Sequence, residues 1–271
     1  MQDYKIDAYS PAEMEERIEN VGVAKANLDF LSTLILSVLA GAFISFGAVF
    51  FTLVTHDSGL KYGLSQLAGG LCFSLGLILV VVAGAELFTG NNLVVMALVS
   101  RRITTGRLLR NWVIVYAGNF IGALTMVLWI YLSRHWELND GRVGAKALAI
   151  AAAKVQLPFI VALTRGILCN ALVCLAVWLC ASARSVTDKI LAVIFPITAF
   201  VACGFEHCVA NMYFIPMGLA LKGIAAGGAH DALTVRAFLF NNLLPVTVGN
   251  VIGGSFLVAL IYWFAYHRKR D

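Results

Sequence analysis

Residues Gly84–Asn91 read GAELFTGN and residues Gly204–Asn211 read GFEHCVAN, so the pattern G-x-E-x4-N occurs twice, 120 positions apart. Both copies lie inside long apolar stretches. A carboxylate in the hydrocarbon of a bilayer costs roughly 2.5 kcal/mol or more, so its recurrence at matching points needs a reason. Duplicated membrane proteins in which paired spans break and face one another across a substrate path have this arrangement. The repeat predicts a small channel or transporter.

The composition of the 271-residue chain is that of an integral membrane protein. Sixty per cent of the residues are hydrophobic, 13% are charged and the mean hydropathy is +0.85, whereas soluble domains carry about 25% charged residues. The net charge of +5 lies mostly in loops and ends, so we expect no nucleic-acid binding. The six cysteines fall within apolar runs without C-x2-C spacing. They predict packing residues, with no metal site and no cofactor.

Charged residues divide the chain into six apolar runs, at about 28–55, 64–99, 108–132, 157–182, 190–221 and 237–266. About 20 residues are enough to cross a hydrocarbon core that is ~30 Å thick. The second and fifth runs exceed 30 residues, and as continuous helices they would reach about 48 Å or more. Because these two runs carry the Glu motifs, we predict that both are interrupted near mid-membrane, at about Leu87–Asn91 and Glu206–Asn211.

The acidic and amide residues of the two motifs have a structural interpretation. We expect Glu86 and Glu206 to accept hydrogen bonds from unwound backbone N–H groups, with Asn91 and Asn211 as further residues of the breaks. Carboxylates that line a pore can also select cations. That cation-channel alternative stays open on the motif alone, although basic residues in the predicted outer loops disfavour it.

The third and sixth runs also match each other. The pattern N-x6-G-N-x2-G begins at Asn111 and again at Asn242. Each half of the chain therefore contains a plain helix, a broken helix and a Gly/Asn helix, and an odd number of spans per half forces the halves into opposite membrane orientations. We predict an all-α membrane protein of six transmembrane helices, built as two inverted three-helix repeats. Its glycines are expected to let helices approach closely.

Lys and Arg counts predict the orientation and the domain limits. With both ends inside, twelve Lys and Arg residues lie in inner segments and seven in outer loops, which favours cytoplasmic termini. We divide the chain into an N-terminal amphipathic helix (1–27), a channel domain (28–266) and a basic tail (267–271). Ser10 and Pro11 form a helix-start pattern, and the helix that follows suits an interfacial anchor.

One intramembrane side chain is suited to handle an anion. His207 is the sole histidine within an apolar run, and Thr89 occupies nearly the equivalent place in the first motif. Ionisable groups at membrane depth usually mark substrate pathways, and an imidazole can donate a hydrogen bond or transfer a proton near neutral pH. Bulky apolar residues surround both motifs, and such constrictions exclude hydrated ions by dewetting.

Four stretches together resemble the formate/nitrite transporter family, and the resemblance covers nearly the whole chain. They are Gly84–Asn91 (GAELFTGN), Cys169–Trp178 (CNALVCLAVW), Gly204–Pro216 (GFEHCVANMYFIP) and Asn242–Gly254 (NLLPVTVGNVIGG). The extension of the third stretch to Gly218 is similar to the formate-channel branch. The resemblance implies an aquaporin-like fold and a homopentamer with one pore in each protomer.

Carried over by position, the resemblance implies roles for single residues. His207 and Thr89 would form the central polar pair, and Asn250 would be a partner of the histidine. Lys154 would be the vestibule lysine and Asn170 the asparagine of the fourth helix. The apolar constriction residues would be, in two groups, Phe73, Leu77 and Phe200, then Leu87 and Phe88. Arg165 departs from the resemblance, because formate channels are apolar there and nitrite channels carry a lysine.

The sequence thus predicts a channel of the bacterial inner membrane for small monovalent anions of weak acids. Formate is the first candidate, with transient protonation by His207, and nitrite or hydrosulfide is the alternative within the family. We expect no enzymatic activity. A membrane-embedded cofactor-binding subunit would need a second intramembrane histidine or ligands at cofactor spacing, and the apolar runs contain neither. A purely structural membrane protein would leave the two carboxylate-bearing spans without a purpose.

Overall fold

The structure, a computed structural model, describes residues 7–224 and 230–267, and these residues form helices joined by turns. Residues 268–271 of the predicted basic tail and the first six of the N-terminal segment lie outside the described residues. The helices are α1 (Pro11–Asn27), α2 (Phe30–Thr55), α3 (Tyr62–Ala83), α4 (Gly90–Val99), α5 (Thr105–Leu132), α6 (Arg142–Val155), α7 (Phe159–Ser182), α8 (Val186–Ala202), α9 (Cys208–Leu221) and α10 (Ala237–Tyr266).

Five of these helices are long and apolar enough to cross a membrane: α2, α3, α5, α7 and α10. The fifth apolar run is divided between α8, of 17 residues, and α9, of 14 residues. The sixth crossing predicted from the sequence would therefore need α8 and α9 together. Many large apolar side chains on these helices are exposed, such as Phe195 at 76% and Trp129 at 62%. In a membrane protein such a surface faces lipid or another subunit.

Both motif-bearing runs are interrupted, a few residues earlier than the sequence predicted. α3 ends at Ala83 and α4 begins at Gly90, while α8 ends at Ala202 and α9 begins at Cys208. The two interruptions begin alike, because Gly84 and Gly204 have φ angles of +80° and +68°. Left-handed backbone at the end of a helix is accessible to glycine at little cost. The first glycine of each motif therefore marks the end of the helix.

The two halves of the chain are packed in the same way. α2 packs against α3 and α5, and α7 packs against α8 and α10. The halves meet where α3 packs against α8 and where α5 packs against α9. Close approach of the helices depends on glycine. A Cβ atom at Gly122 would lie 2.0 Å from the Val38 carbonyl oxygen, and one at Gly253 would lie 2.1 Å from that of Ile167. The packing interpretation of these glycines is confirmed.

The N-terminal helix begins as predicted but is seated against the protein. Ser10 and Glu13 form a reciprocal capping box at the start of α1. Met14 and Ile18 are 5% and 6% exposed, and they pack in a core cluster with residues of α4. α1 lies against α4 in one half as α6 lies against α9 in the other. α1 is thus the structural counterpart of α6, which differs from the interfacial anchor that its sequence suggested.

Candidate functional site

The two interruptions bring Thr89 and His207 together in the interior. The Thr89 hydroxyl Oγ1 lies 3.0 Å from His207 Nε2, and the two residues are 0% and 2% exposed. Thr89 ends the unwound segment before α4, and His207 ends the segment before α9. The central polar pair expected from the resemblance is therefore in contact, one member from each half of the chain.

The second nitrogen of the His207 ring determines its tautomer in this conformation. His207 is the N-cap of α9, and its Nδ1 accepts a hydrogen bond from the backbone N–H of Ala210 at 3.1 Å. A nitrogen that accepts from an N–H group carries no proton. In the neutral ring the proton is therefore on Nε2, which donates to the Thr89 hydroxyl. The Thr89 hydrogen is then free to be donated to another acceptor.

Three buried asparagines hold the backbone around this pair. Asn170 donates to the carbonyl oxygens of Thr89 and Asn250 at 3.2 and 2.7 Å. The Asn250 side chain accepts from the Cys208 N–H at 2.9 Å and donates to the Glu206 carbonyl at 3.0 Å. Asn250, predicted as a partner of the histidine, bonds the backbone on both sides of His207 rather than its ring.

The third asparagine, Asn119, does the same for the first interruption. Its side chain accepts from the Phe88 N–H at 2.9 Å and donates to the Glu86 carbonyl at 2.9 Å. It also donates to the Ser37 carbonyl at 2.8 Å, as Asn250 donates to that of Gly166 at 2.8 Å. Asn119 and Asn250 are therefore equivalent clamps, one in each half.

Glu206 belongs to a cluster that joins four elements. Its Oε1 lies 2.8 Å from Lys154 Nζ at the end of α6, and its Oε2 accepts from Asn211 Nδ2 at 2.7 Å. Asn242 in α10 accepts from Asn211 at 2.7 Å and donates to the Lys154 carbonyl at 3.0 Å. Glu206 is 4% exposed, so the lysine supplies the opposite charge that a buried carboxylate requires.

Glu86 has the same surroundings in the first half. Lys25 Nζ, near the end of α1, lies 2.6 Å from Glu86 Oε1, and Asn91 Nδ2 donates to Oε2 at 2.7 Å. Asn111 in α5 accepts from Asn91 at 3.0 Å and donates to the Lys25 carbonyl at 3.3 Å. The expectation that the two Glu side chains accept from unwound backbone was wrong: lysine and asparagine side chains satisfy them.

Two cavities flank the central pair. The first, about 330 Å³ in volume, is lined by His207, Phe73 and Phe200 together with Lys154, and we call it the Lys154 cavity. The second, about 400 Å³, is lined by Leu77, Leu87, Lys25 and other residues, and we call it the Lys25 cavity. Phe73 and Leu77 are one turn apart on α3, so the cavities lie at successive levels along this helix.

The predicted apolar constrictions are rearranged in the structure. Phe73 and Phe200 meet edge to face with ring centres 5.6 Å apart, and Phe200 stacks on His207 at 5.9 Å. Leu77 does not join them at the Lys154 cavity but lines the Lys25 cavity with Leu87. Phe88 lines neither of these two cavities, because its ring packs against Trp112 and Tyr116. The resemblance had implied a place for Phe88 in a constriction.

Sequence reasoning missed Lys25, Asn111, Asn119 and Asn242 as site residues. A signal for the lysine was present, because Lys25–Phe30 reads KANLDF and Lys154–Phe159 reads KVQLPF. These segments share K-x-[N/Q]-L-x-F and join α1 to α2 as they join α6 to α7. The repeated Asn patterns of the third and sixth runs had been noticed, but among their asparagines only Asn250 had been given a role.

Each cavity is lined by two further basic residues besides its Lys–Glu ion pair. Lys146 and Arg165 line the Lys154 cavity in addition to the Lys154–Glu206 pair. Arg17 and Lys189 line the Lys25 cavity in addition to the Lys25–Glu86 pair. Burial lowers the pKa of Lys146 below its ordinary value, because a half-buried ammonium loses hydration. Both cavities are therefore positively charged, which favours anions.

Comparison with known proteins identifies the family of the chain. The family model described as "formate/nitrite transporter" matches residues 12–264. The chain is 45% identical over 280 residues to the formate channel FocA of Escherichia coli (strain K12), covering 99% of this chain and 98% of that relative. Among solved structures, a pentameric formate channel with formate bound has a TM-score of 0.81 at 38% identity, covering 88% of this chain and 98% of that one.

A further solved structure, an FNT family ion channel, has a TM-score of 0.83 at 29% identity, covering 93% of this chain and 98% of that one. These relatives are channels rather than enzymes, and they confirm the resemblance that the sequence motifs carried. The match to the family model extends over both halves, from α1 into α10. The chain therefore belongs to the formate/nitrite transporter family.

Proposed function

We propose that this family member is a channel for small monovalent anions of weak acids, with formate as its first substrate. The observation that carries the proposal is the Thr89–His207 contact, which lies between two positively charged cavities. The names of the relatives support formate: one is a formate channel, and a solved relative has formate bound.

In the proposed mechanism the cavities collect the anion and the central pair conducts it between apolar side chains. An unpaired carboxylate cannot leave water cheaply, so a site that removes water must replace the lost hydrogen bonds. The free Thr89 hydroxyl hydrogen is the donor that the arrangement leaves for this task, and the His207 Nε2–H group keeps the hydroxyl in place. Phe73 and Phe200 on one side, and Leu77 and Leu87 on the other, form the apolar passage.

The geometry supports hydrogen bonding by His207 better than proton donation. A neutral imidazole is too weak an acid to protonate formate, and the imidazolium would carry a proton on Nδ1. That proton would face the Ala210 N–H instead of accepting from it. Proton donation would therefore require the ring to leave its capping position, and proton coupling through His207 stays a second hypothesis.

We also propose the assembly and location of the channel. Six crossings in two inverted halves, arranged in an aquaporin-like protomer, are supported by the matched clusters of the two halves and by five long apolar helices. A homopentamer in the bacterial inner membrane, with both termini in the cytoplasm, is favoured by the pentameric relative and by the basic residues near the termini. The exposed apolar side chains would contact lipid and neighbouring subunits.

Flux measurements in proteoliposomes test the proposal. Purified protein is reconstituted, and the uptake of formate, nitrite, hydrosulfide and lactate is followed at two pH values, with protein-free liposomes as the control. We expect formate flux well above that of lactate. Nitrite or hydrosulfide flux that exceeds formate flux would establish the alternative within the family, and cation flux without anion flux would refute the anion channel.

A further inference from the structure

The near-symmetry of the two halves isolates one charged residue that has no counterpart. The backbone carbonyl of Arg165 in α7 accepts the Glu206 N–H at 3.3 Å, and the carbonyl of Leu36 in α2 accepts the Glu86 N–H at 3.2 Å. Arg165 and Leu36 thus occupy equivalent positions beside the two interruptions. Lysine, glutamate and asparagines recur in both clusters, whereas the position of Arg165 is occupied by leucine in the other half. The clusters are complete without the guanidinium, so the fold does not require an arginine there.

The guanidinium also has no partner among the residues that the structure describes. Among residues 7–224 and 230–267, Arg165 forms neither an ion pair nor a side-chain hydrogen bond. It is half-buried and lines the Lys154 cavity together with His207. Arg165 thus lines a cavity that also borders His207, and none of its five donors has an acceptor among the described residues.

Charge balance makes this guanidinium important for the contents of the cavity. The charge of Lys154 is offset by Glu206 at 2.8 Å. The remaining positive charges that line the cavity belong to Arg165 and Lys146, and partial burial lowers the pKa of Lys146. Of these two residues, Arg165 lies next to the interruption, since its backbone carbonyl accepts the N–H of Glu206, the residue before His207.

We propose that Arg165 is a substrate-binding and specificity-determining residue, whose guanidinium holds a planar two-oxygen anion in the Lys154 cavity before it reaches Thr89 and His207. The inference rests on the proposed function and names the class of anion that this cavity selects. A guanidinium presents two parallel N–H groups that match the two oxygens of a carboxylate or of nitrite. Hydrosulfide has a single heavy atom and gains only the charge.

Three variants separate the effect of the two parallel N–H groups of Arg165, which we call the fork, from the effect of its positive charge. Arg165→Leu installs the residue found at the equivalent position in the other half, and Arg165→Lys keeps the charge without the fork. Arg236→Leu removes an equal charge from an exposed position that lines neither cavity, so it controls for net charge. The protein is reconstituted in proteoliposomes, and formate flux is measured against formate concentration and with nitrite or hydrosulfide as competitor.

For Arg165→Leu we expect the formate concentration that gives half-maximal flux to rise about five- to tenfold, the range for loss of a charge-assisted paired hydrogen bond in a wet cavity. The nitrite concentration that halves formate flux should rise by the same factor. The maximal formate flux should not fall, and the half-inhibitory hydrosulfide concentration should change less than about twofold, since it tests charge without the fork. Arg165→Lys should lie between Arg165→Leu and the unmodified channel, and Arg236→Leu should match the unmodified channel.

Each of the other results overturns the inference. Equal changes for formate, nitrite and hydrosulfide, or an Arg165→Lys channel that matches the unmodified one, would mean that only charge matters. A lower maximal flux with unchanged half-saturation would mean that Arg165 has a structural role. An unmodified channel that conducts neither formate nor nitrite would instead refute the proposed function. The flux of the unmodified channel is therefore measured before any variant is compared with it.

Discussion

His207 performs two tasks with one ring. Nδ1 caps α9 by accepting the Ala210 N–H, and Nε2 holds the Thr89 hydroxyl. Because the cap fixes the ring, the donor on Nε2 is preorganised and the Thr89 hydrogen is left for the anion. A histidine is suited to this position since its two nitrogens are held apart by a rigid ring, whereas asparagine offers an acceptor and a donor on a shorter side chain.

This division of tasks predicts how substitutions of His207 differ. His207→Asn keeps an acceptor for the cap, so it should fold and retain a part of the formate flux. His207→Phe removes the acceptor and the donor, which costs about 1 kcal/mol of stability at the cap, and it should abolish flux while the protein still assembles. Proteoliposome flux, with oligomer size measured in detergent, checks both. Formate flux through His207→Phe at the original rate would make His207 a packing residue.

Asn119 and Asn250 are predicted to be equally important for stability. Each side chain joins one N–H group and two carbonyl groups of the backbone in the interior. Replacement by leucine leaves those groups unsatisfied, at about 1–3 kcal/mol for each. Thermal unfolding in detergent should show losses of about 3 kcal/mol or more for Asn119→Leu and Asn250→Leu, similar to one another. Asn241→Ala, at an exposed position, serves as the control and should lie within about 0.5 kcal/mol of the unmodified protein.

At the scale of helices, the sequence predicted that two spans break but placed the breaks too late. Excess length and a buried carboxylate identified the correct runs. The carboxylate, however, marks the lysine cluster, while the helix ends where Gly84 and Gly204 adopt positive φ. The lysine partners could not be assigned from local sequence, because Lys25 is 61 residues from Glu86 and Lys154 is 52 residues from Glu206. Only the repeated K-x-[N/Q]-L-x-F segments connect them.

The glycines at the breaks and those between helices should respond differently to alanine. A Cβ at Gly84 or Gly204 has no atom within 4 Å, so alanine there costs only the left-handed backbone, about 1–2 kcal/mol. At Gly122 a Cβ would lie 2.0 Å from backbone, so α2 and α5 must separate, which we expect to cost about 3 kcal/mol or more. Unfolding temperatures of Gly84→Ala, Gly204→Ala and Gly122→Ala test this order, and equal losses would contradict it.

The ion pair in each cluster predicts rescue by a second substitution. Lys154→Met leaves the Glu206 carboxylate beside the cavity without its cation, and it should reduce formate flux about tenfold or more through repulsion of the anion. Lys154→Met combined with Glu206→Gln removes both charges and should recover most of the flux. Lys25→Met with and without Glu86→Gln provides the matched pair in the other half. A double variant as inactive as the single one would mean that the lysine charge itself attracts the anion.

For the whole molecule, the internal repeat was the part of the fold that the sequence predicted best. Its equivalences extend to individual hydrogen bonds, since Asn119 corresponds to Asn250 and Asn111 to Asn242. The position of α1 was not predicted, because a 17-residue helix with one apolar face suits a membrane surface as well as a protein groove. The groove is distinguished from the membrane surface by the contact of Met14 and Ile18 with α4. That contact joins residues far apart in the chain, so the sequence of the helix alone does not predict it.

The inverted arrangement makes a last prediction, that the two cavities open on opposite sides of the membrane. Ala153 lines the Lys154 cavity and Ala181 lines the Lys25 cavity. Neither residue belongs to one of the two Lys–Glu clusters. Each is replaced by cysteine in a background where Cys72 and Cys203, which are not buried, and Cys180, which also lines the Lys25 cavity, are changed to serine. Right-side-out and inverted membrane vesicles are then treated with a membrane-impermeant maleimide.

Because an odd number of crossings separates equivalent points of inverted halves, we expect Ala153→Cys to be labelled only from the outer face and Ala181→Cys only from the inner face. Labelling of both from the same face would refute the inversion and, with it, the proposed path from one cavity through Thr89 and His207 to the other.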